Sequence, residues 1–481
     1  YQFVRDVDYC SGAFLLVRRA LFEQLGRFDE VFAPAYYEES DFCVRLWEHG
    51  HRVVYDPAVR IRHFEFASDV NSGQAMALQA RNRAIFVERH REFLASKYAP
   101  GPHNIPRARQ LVPKGRKRVL IIDDRVPYPS LGRGYPRACM IANLVSQSAG
   151  SLTYYPLQTP QDDWSKVYTA LPERTEIVLN QGLPGLSDFL ERYASSFDII
   201  IVSRPHNMEP FAAIRRKHPH WFAGATIAYD AEALFSLREI ERAKVMGKPL
   251  TEAQGKALIA KELALAKTAD RIVAVSEVEA QQYRAAGCND VIVLGHALEL
   301  QPTASDFGAR SGFLFMGAIT QDDCPNGDSV LWFLDHVWPT IQAQLGDAAQ
   351  LDIVGVCESP KVQARRSASV RLCGRVDDLE PYFDRRRVFI VPTRYAAGVP
   401  HKAHEAASRG LPMVTTPLIA SQLNWTEELL VGADAESFAQ ACVRLHESQT
   451  DWTRIRQSAL AAIEHDCNSD AFAASVKGIL R

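Results

Sequence analysis

The residue types best suited to chemistry gather near position 400. An apolar run, Val388–Val391, is followed by Pro392-Thr-Arg-Tyr-Ala-Ala-Gly-Val-Pro-His-Lys-Ala-His-Glu, which contains Arg394, Gly398, Lys402 and Glu405. Gly398 allows close backbone approach. Pro400 suits a first helical turn, and Gly410 suits a helix stop. The helix so framed, His401–Arg409, turns free N–H groups and a positive dipole end toward whatever lies before it, a natural cradle for a diphosphate. Lys402 adds a full positive charge in the first turn. Glu405, one turn deeper on the same face, can accept hydrogen bonds from sugar hydroxyls. A plain surface Lys–Glu pair has the same spacing, so spacing alone leaves both readings open. A zinc reading of His401 and His404 fails, because residue 408 is Ser and no HExxH is formed.

The other candidates follow one rule: open parallel sheets bind ligands beyond the carboxyl ends of their strands. Phe313–Met316 leads into Gly317 and then Asn326; Gly355 and Gly374 follow two further apolar runs. Glycine after a strand is also routine turn chemistry, and the four glycine-bearing ends mean more together than singly. Earlier in the chain, Leu131-Gly132-Arg-Gly134-Tyr-Pro-Arg137 joins a strand to a helix. Gly132 and Gly134 fit a loop beside phosphate or sugar. Arg137 breaks GxGxxG, which disfavours a dinucleotide site. Arg204-Pro-His206-Asn and Asp230-Ala-Glu232 also follow strands, so His206, Asp230 and Glu232 are candidate catalytic groups facing a cleft. A satisfied structural histidine is the usual alternative. Near the start, Tyr36-Tyr-Glu38-Glu39-Ser-Asp41 offers paired carboxylates, with Glu39 as a candidate general base and a helix N-cap as the plainer explanation. His63 is a candidate metal ligand.

These groups need positioning elements, and the chain supplies them in three blocks. Residues 1–98 contain short apolar strands (Ala13–Val17, Arg52–Tyr55, Val59–His63) and helical stretches at Ser40–His49 and Gln74–Lys97. Residues 99–118 form a Pro-rich linker with six basic side chains and no acid: Arg107, Arg109, Lys114, Arg116, Lys117 and Arg118. It reads as a solvated tether, or as a patch resting on anionic lipid. From Val119 to residue 305, apolar strands (Val119–Ile122, Asp198–Ser203, Thr226–Tyr229, Arg271–Ser276) alternate with helices. The pattern repeats over residues 306–481, with strands at Phe313–Met316, Gln350–Val354, Val370–Leu372, Val388–Val391 and Met413–Thr415 and helices at Ser329–Gln344, His401–Arg409 and Ala435–Glu447. Such alternation predicts α/β domains with parallel, doubly wound sheets.

Composition narrows the function classes. The 481 residues are 47% hydrophobic and 23% charged, which fits a globular chain with large cores. Lys plus Arg is 55 and Asp plus Glu is 57, a net charge of −2, so nucleic acid is not an expected partner. Nine cysteines without a CxxC argue for reduced thiols in the cytoplasm. No apolar run is long enough for a membrane span, and no signal peptide opens the chain. Residue 1 is Tyr, which predicts that the sequence begins inside a longer polypeptide.

Residues 118–481 resemble family-4-type glycosyltransferases of the GT-B fold (glycosyl transferases group 1). The resemblance rests on Val119-Leu-Ile-Ile-Asp-Asp-Arg-Val-Pro with Gly132-Arg-Gly134, on Ala274-Val-Ser-Glu277, on Phe315-Met-Gly317, and most of all on Gly398-Val-Pro-His-Lys402-Ala-His-Glu405-Ala with Gly410-Leu-Pro-Met-Val-Thr-Thr416. It implies two Rossmann-like domains and retaining transfer of a sugar from a nucleotide-sugar donor. The donor would lie between the domains, held mainly by the second, without a required metal. Carried across, Lys402 resembles a phosphate contact, Glu405 the second glutamate of an E-x7-E pattern on the ribose, His206 a histidine near the sugar, and Gly132 and Gly134 the loop beside the diphosphate. Two positions depart: Ala397 stands at the first glutamate, and Gln321–Gly327 replaces the usual Arg…Lys pair after the Phe-x-Gly strand. Lys402 and Arg394 would share that clamp.

Residues 1–98 resemble the acceptor-side half of family-2-type glycosyltransferases with a GT-A fold. The matching residues are Cys10-Ser-Gly12-Ala-Phe-Leu-Leu-Val-Arg18, Gly26-Arg-Phe28-Asp29-Glu, Tyr37-Glu38-Glu39-Ser-Asp41-Phe-Cys-Val-Arg45-Leu, and Pro57 to His63. By that resemblance Glu39 replaces the family's aspartate base and His63 resembles a metal ligand. An intact domain of that kind would use Mn or Mg. The nucleotide-binding half and its DxD motif are missing, so this block is expected to be inactive as given. The expected function is sugar transfer to a surface-polysaccharide, lipid-linked or glycan acceptor, in the cytoplasm or at the inner face of the membrane, with the 107–118 linker as the membrane contact. A GT-B nucleotide-sugar epimerase and a degenerate, non-catalytic sugar-nucleotide-binding protein are the alternatives.

Overall fold

The computed structural model describes residues 2–62, 72–132 and 134–481. Its strands are β1 (Arg5–Asp6), β2 (Val54–Tyr55), β3 (Arg118–Asp123), β4 (Ser151–Pro156), β5 (Thr175–Ile177), β6 (Ile199–Ser203), β7 (Thr226–Asp230), β8 (Arg271–Ala274), β9 (Val291–Val293), β10 (Phe313–Met316), β11 (Leu351–Val354), β12 (Val370–Gly374), β13 (Val388–Val391), β14 (Met413–Thr415) and β15 (Leu430–Val431). Two all-parallel sheets dominate. One has the order β5-β4-β3-β6-β7-β8-β9, the other β12-β11-β10-β13-β14-β15. Helices cover both faces of each. The molecule is an α/β protein built on two parallel, doubly wound sheets.

The apolar runs form central strands because both faces are buried. In β3 and β6, Leu120, Ile122, Ile200 and Val202 enter one core, and Val119, Ile121, Ile199 and Ile201 enter the core on the opposite face. Phe313 and Phe315 of β10 divide from Leu314 and Met316 in the same way. Side chains alternate with period two along a strand, so a continuous apolar run serves two cores at once. The last helix, Ser469–Ile479, belongs by packing to the first lobe. Phe472, Val476 and Ile479 are buried in its core, and the Arg271 guanidinium donates to the carbonyls of Gly478 and Ile479.

Several sequence expectations are corrected. Ala13–Val17 is turn and coil, and the described part of the Val59–His63 strand is coil; among the described residues of the first block, the strands are the two-residue pair β1–β2, joined antiparallel. Ser329–Gln344 is not one α-helix: a π turn at Phe333–Val337 separates Pro325–Trp332 from Trp338–Leu345. Pro339 has no N–H to give the preceding turn, which explains the break. β4 does not read as an apolar run, because its sequence, Ser-Leu-Thr-Tyr-Tyr-Pro, is rich in hydroxyls. Folding buries them with partners: the Tyr154 hydroxyl donates to Asp123 Oδ2 (3.0 Å) and the Tyr155 hydroxyl to the Gly182 carbonyl (2.8 Å).

The 99–118 segment is not a solvated tether. It forms short helices at Pro102–Asn104 and Ile105–Ala108 and docks on the first lobe. Arg107 donates to the Ser195 carbonyl, Arg109 forks onto Glu176, Arg116 donates to the Ser148 carbonyl, and Arg118 reaches the Arg107 carbonyl. Four of the six cations thus hold internal partners, and Lys114, Arg116 and Lys117 stay exposed. Among the described residues, no helix is long and apolar enough to cross a membrane. All nine cysteines are free thiols.

Candidate active site

The helix read from sequence as the anion cradle, His401–Ser408, follows β13 at the carboxyl edge of its sheet. Lys402 Nζ donates to Asn326 Oδ1 at 2.5 Å and lies 4.6 Å from the centre of the Phe315 ring. The Asn326 amide donates to the Ala318 carbonyl at 2.9 Å, so the lysine is held by a fixed partner. Burial pushes the Lys402 ammonium down to about 8. Glu405 is half-buried; burial raises its pKa, and His401 Nδ1 is 4.0 Å from its carboxylate. Gly317 and Gly355 line the same edge with little room beside them. A Cβ on Gly317 would sit 2.6 Å from Asn326 Nδ2, and one on Gly355 would sit 2.5 Å from the Gly317 carbonyl oxygen.

Arg394 is a correction. It forks onto buried Asp328, with one N–O distance of 3.0 Å, so it is not a free cation beside Lys402.

In the other lobe, Arg204 gathers the carboxyl edge of the sheet. It pairs with Asp123 (3.3 Å), with Asp124, and through two parallel contacts with Glu232 (2.8 and 3.0 Å), while its guanidinium lies 4.6 Å from the Tyr135 ring centre. His206 Nε2 is 2.6 Å from Asp124 Oδ1, and the Asn207 amide donates to the same oxygen at 2.9 Å. Burial alone would raise Asp124; its hydrogen bond to His206 and the charge of Arg204 outweigh that and hold it at about 2. The same hydrogen bond raises His206. Asp123 is fully enclosed, and burial pushes it up to about 7 against the opposing charge of Arg204. His206, with its side chain 56% exposed, is the open member of this cluster.

Asp230 is a second correction. Its carboxylate is buried and takes two bonds from Arg137, at 2.8 and 3.0 Å, while Arg137 also donates to the carbonyls of Leu294 and Gly295. This pair ties β7 to the chain beyond β9 and leaves no free oxygen for acid–base work. Glu232 is half-buried, and Gly134 abuts it: a Cβ on Gly134 would sit 2.4 Å from Glu232 Oε1. Gly132 has open space beside it. Sequence reading passed over Arg204, Asp124 and Asn207 as site residues. The signal was present in the Asp123-Asp124 strand end and in Arg204-Pro-His206-Asn207, but only the sheet order β3-β6-β7 makes those ends neighbours.

The lobes meet at Gly398. Its φ is 74°, and a Cβ there would sit 3.2 Å from both the Ala233 Cβ and the Glu232 carbonyl oxygen. The loop leading to Lys402 therefore presses on the strand end that carries Glu232. Glu279 lies at the same seam, accepts from the Leu234 N–H at 3.3 Å, and is pushed up to about 7 by burial. Arg242 spans the gap to Asp323 at 2.6 Å. Behind the helix, His404 Nδ1 lies 3.3 Å from His296 Nδ1 and 3.5 Å from Cys467 Sγ; burial lowers both histidines.

The first block holds its own candidate. Glu39 lines a cavity of about 440 Å³ with Asp8, Tyr9, Tyr36 and Lys97. Asp41, which is fully buried, takes bonds from Arg45, Arg89 and His90 and fixes the helix Glu38–Glu48. His63 lies outside the described residues. Among the described residues, no three His, Cys, Asp or Glu side chains gather as a metal-ligand group.

Residues 310–448 match the family model described as glycosyl transferases group 1. The chain is 34% identical over 95 residues to N-acetylglucosaminyl-diphospho-decaprenol L-rhamnosyltransferase of Mycobacterium tuberculosis; the match covers 20% of this chain and 29% of that protein. The chain thus spans less than a third of the length of the curated relatives it matches. Among solved structures, Anabaena HepE in complex with UDP-glucose aligns with a TM-score of 0.57 at 12% identity, covering 76% of this chain and 99% of that one. A glycosyltransferase from Rickettsia africae aligns with a TM-score of 0.54 at 10% identity over the same shares. These likenesses carry the GT-B fold, and residues 310–448 of the second lobe are similar to glycosyl transferases group 1.

Proposed function

We propose that the two-lobed part, residues 119–481, transfers a sugar from a nucleotide-sugar donor, with retention, to a glycan or lipid-linked acceptor. The observation that carries this reading is the seam at Gly398. There the amino end of the His401–Ser408 helix, with Lys402 anchored on Asn326, meets the strand ends bearing His206 and Glu232. A diphosphate at that helix end would receive backbone N–H groups and the Lys402 charge. Glu405, one turn deeper, would take the ribose hydroxyls. His206, held by its hydrogen bond to Asp124, would face the sugar from the first lobe. Residues 306–481 would hold the donor, and residues 119–305 the acceptor. Rate enhancement would come from positioning and from stabilising charge on the leaving diphosphate.

The reading calls for no metal in the two-lobed part. Mn or Mg belongs to an intact GT-A domain. The described residues of the first block offer no ligand group for it, and no step is derived through one. We take the first block as a part of such a domain, its acceptor-side half. The matched rhamnosyltransferase acts, by its name, on a diphospho-decaprenol substrate, which supports a lipid-linked acceptor here. Such an acceptor would bring the protein to the cytoplasmic face of a membrane, where exposed Lys114 and Lys117 could meet anionic headgroups.

The test is a screen of UDP-, GDP- and ADP-sugars by thermal shift, followed by turnover with the donor that binds. Lys402→Ala should cut kcat/KM by about tenfold to a hundredfold, the range for losing a charge-assisted contact, and Glu405→Gln should raise KM, both with unfolding unchanged. Full activity in both variants would refute the site. Ala397 and the engaged Arg394 favour one rival, a degenerate binder: it would bind a nucleotide and turn over no donor. An epimerase would convert the donor without any acceptor.

A further inference from the structure

A diphosphate needs more positive charge than the second lobe supplies. Lys402 is there, Arg394 is committed to Asp328, and Gln321–Gly327 carries no cation. Among the described residues of the other lobe, Arg204 stands at the strand ends that face the Lys402 helix. We propose that Arg204 is the second cation for the donor's diphosphate, and that Glu232 is a resident carboxylate holding that position until the donor replaces it. The inference rests on the donor reading above.

Geometry supports the exchange in three ways. Glu232 offers both oxygens to Arg204, Oε2 to Nε at 2.8 Å and Oε1 to Nη2 at 3.0 Å, the fork that a guanidinium equally offers to two phosphate oxygens. The carboxylate lies against Gly134, where any side chain would collide with it, and beside the loop entering the Lys402 helix, since the Glu232 carbonyl oxygen is 3.2 Å from a Cβ built on Gly398. An anion in this place therefore touches the small-residue turn of one lobe and the cradle of the other. Both partners are also left-handed in backbone, with φ of 74° at Arg204 and 55° at Glu232, a conformation unfavourable for residues with side chains and found where surroundings impose it.

Of the three carboxylates around Arg204, Glu232 is the one free to leave. Its side chain is 16% exposed, against 1% for Asp123 and 10% for Asp124. Asp124 is pinned by His206 and Asn207, and Asp123 takes the Tyr154 hydroxyl. After Glu232 swings out, those two still fix the guanidinium, and Tyr135 still flanks it.

Calorimetry on the full chain at neutral pH tests this, with UDP, GDP, ADP and inorganic pyrophosphate as probes. Glu232→Gln removes the competing charge and should bind the best nucleotide, and pyrophosphate, about fivefold more tightly than the wild type. Arg204→Lys keeps a charge for Asp123 and Asp124 but loses the fork, and should bind about tenfold more weakly, with its fold checked by circular dichroism. If Lys402→Ala weakens binding while Glu232→Gln and Arg204→Lys leave it unchanged, Arg204 is purely structural and the donor reading stands. Weaker binding by Glu232→Gln overturns the place-holder role. If neither wild type nor Glu232→Gln binds any probe, the proposal and the donor reading fall together.

Discussion

Lys402 shows how a single side chain can be legible in type and illegible in state. Its place in the first turn of a helix after an apolar strand was readable. That burial pushes it down to about 8, and that Asn326 holds it, was not. The shift has a consequence. A terminal phosphate completes its ionisation near pH 6, so above neutrality the ligand's charge is constant while the lysine loses its own. Nucleoside diphosphate affinity should therefore fall about tenfold between pH 7 and 9, since beyond its pKa each pH unit removes tenfold of the protonated amine. Lys402→Arg, whose guanidinium stays charged, should flatten that slope. An equal slope in both, measured by calorimetry, would show that Lys402 does not meet the anion. Arg394 and Asp230 carry the complementary lesson. Both had the right type at a sheet's carboxyl edge, yet each is occupied by a buried partner, Asp328 and Arg137, that lies far away in sequence.

Among elements, the decisive ones are loops at strand ends. Gly398 joins β13 to the Lys402 helix with a φ of 74° and no room for a Cβ against Ala233 and Glu232. Gly398→Ala should lower thermal stability by roughly 1–2 kcal/mol from the left-handed backbone alone. It should also weaken nucleotide binding, because the displaced loop carries the cradle with it. An alanine variant with unchanged melting temperature and affinity would mean that the lobes do not press together there. Central strands were readable because burial on both faces demands unbroken apolar runs. β4 was hidden by tyrosines and a threonine whose hydroxyls find partners only in the folded state. The docked 99–118 segment was likewise hidden, because prolines and arginines read as solvated until Glu176 and the Ser195 carbonyl receive them.

At the scale of the molecule, the end of the chain returns to the first lobe. Phe472 is 4% exposed and packs with Val145, Leu294 and Ile479 in a core built mainly from residues before 300. Phe472→Ala should cost about 3–5 kcal/mol, read by denaturant unfolding with a probe in the first lobe. A loss under about 1 kcal/mol would mean that the crossing helix contributes little to that core. Sequence alone determined the α/β class, the two repeats of parallel-sheet grammar, and the helix bearing Lys402 and Glu405, because those depend on local periodicity and turn chemistry. Tertiary structure alone decided which charges are free. Arg204 acquires three carboxylates, and Arg394 and Asp230 lose their freedom, through pairings set by strand order and lobe contact. A charge's availability depends on its neighbours in space, and spacing along the chain does not record them.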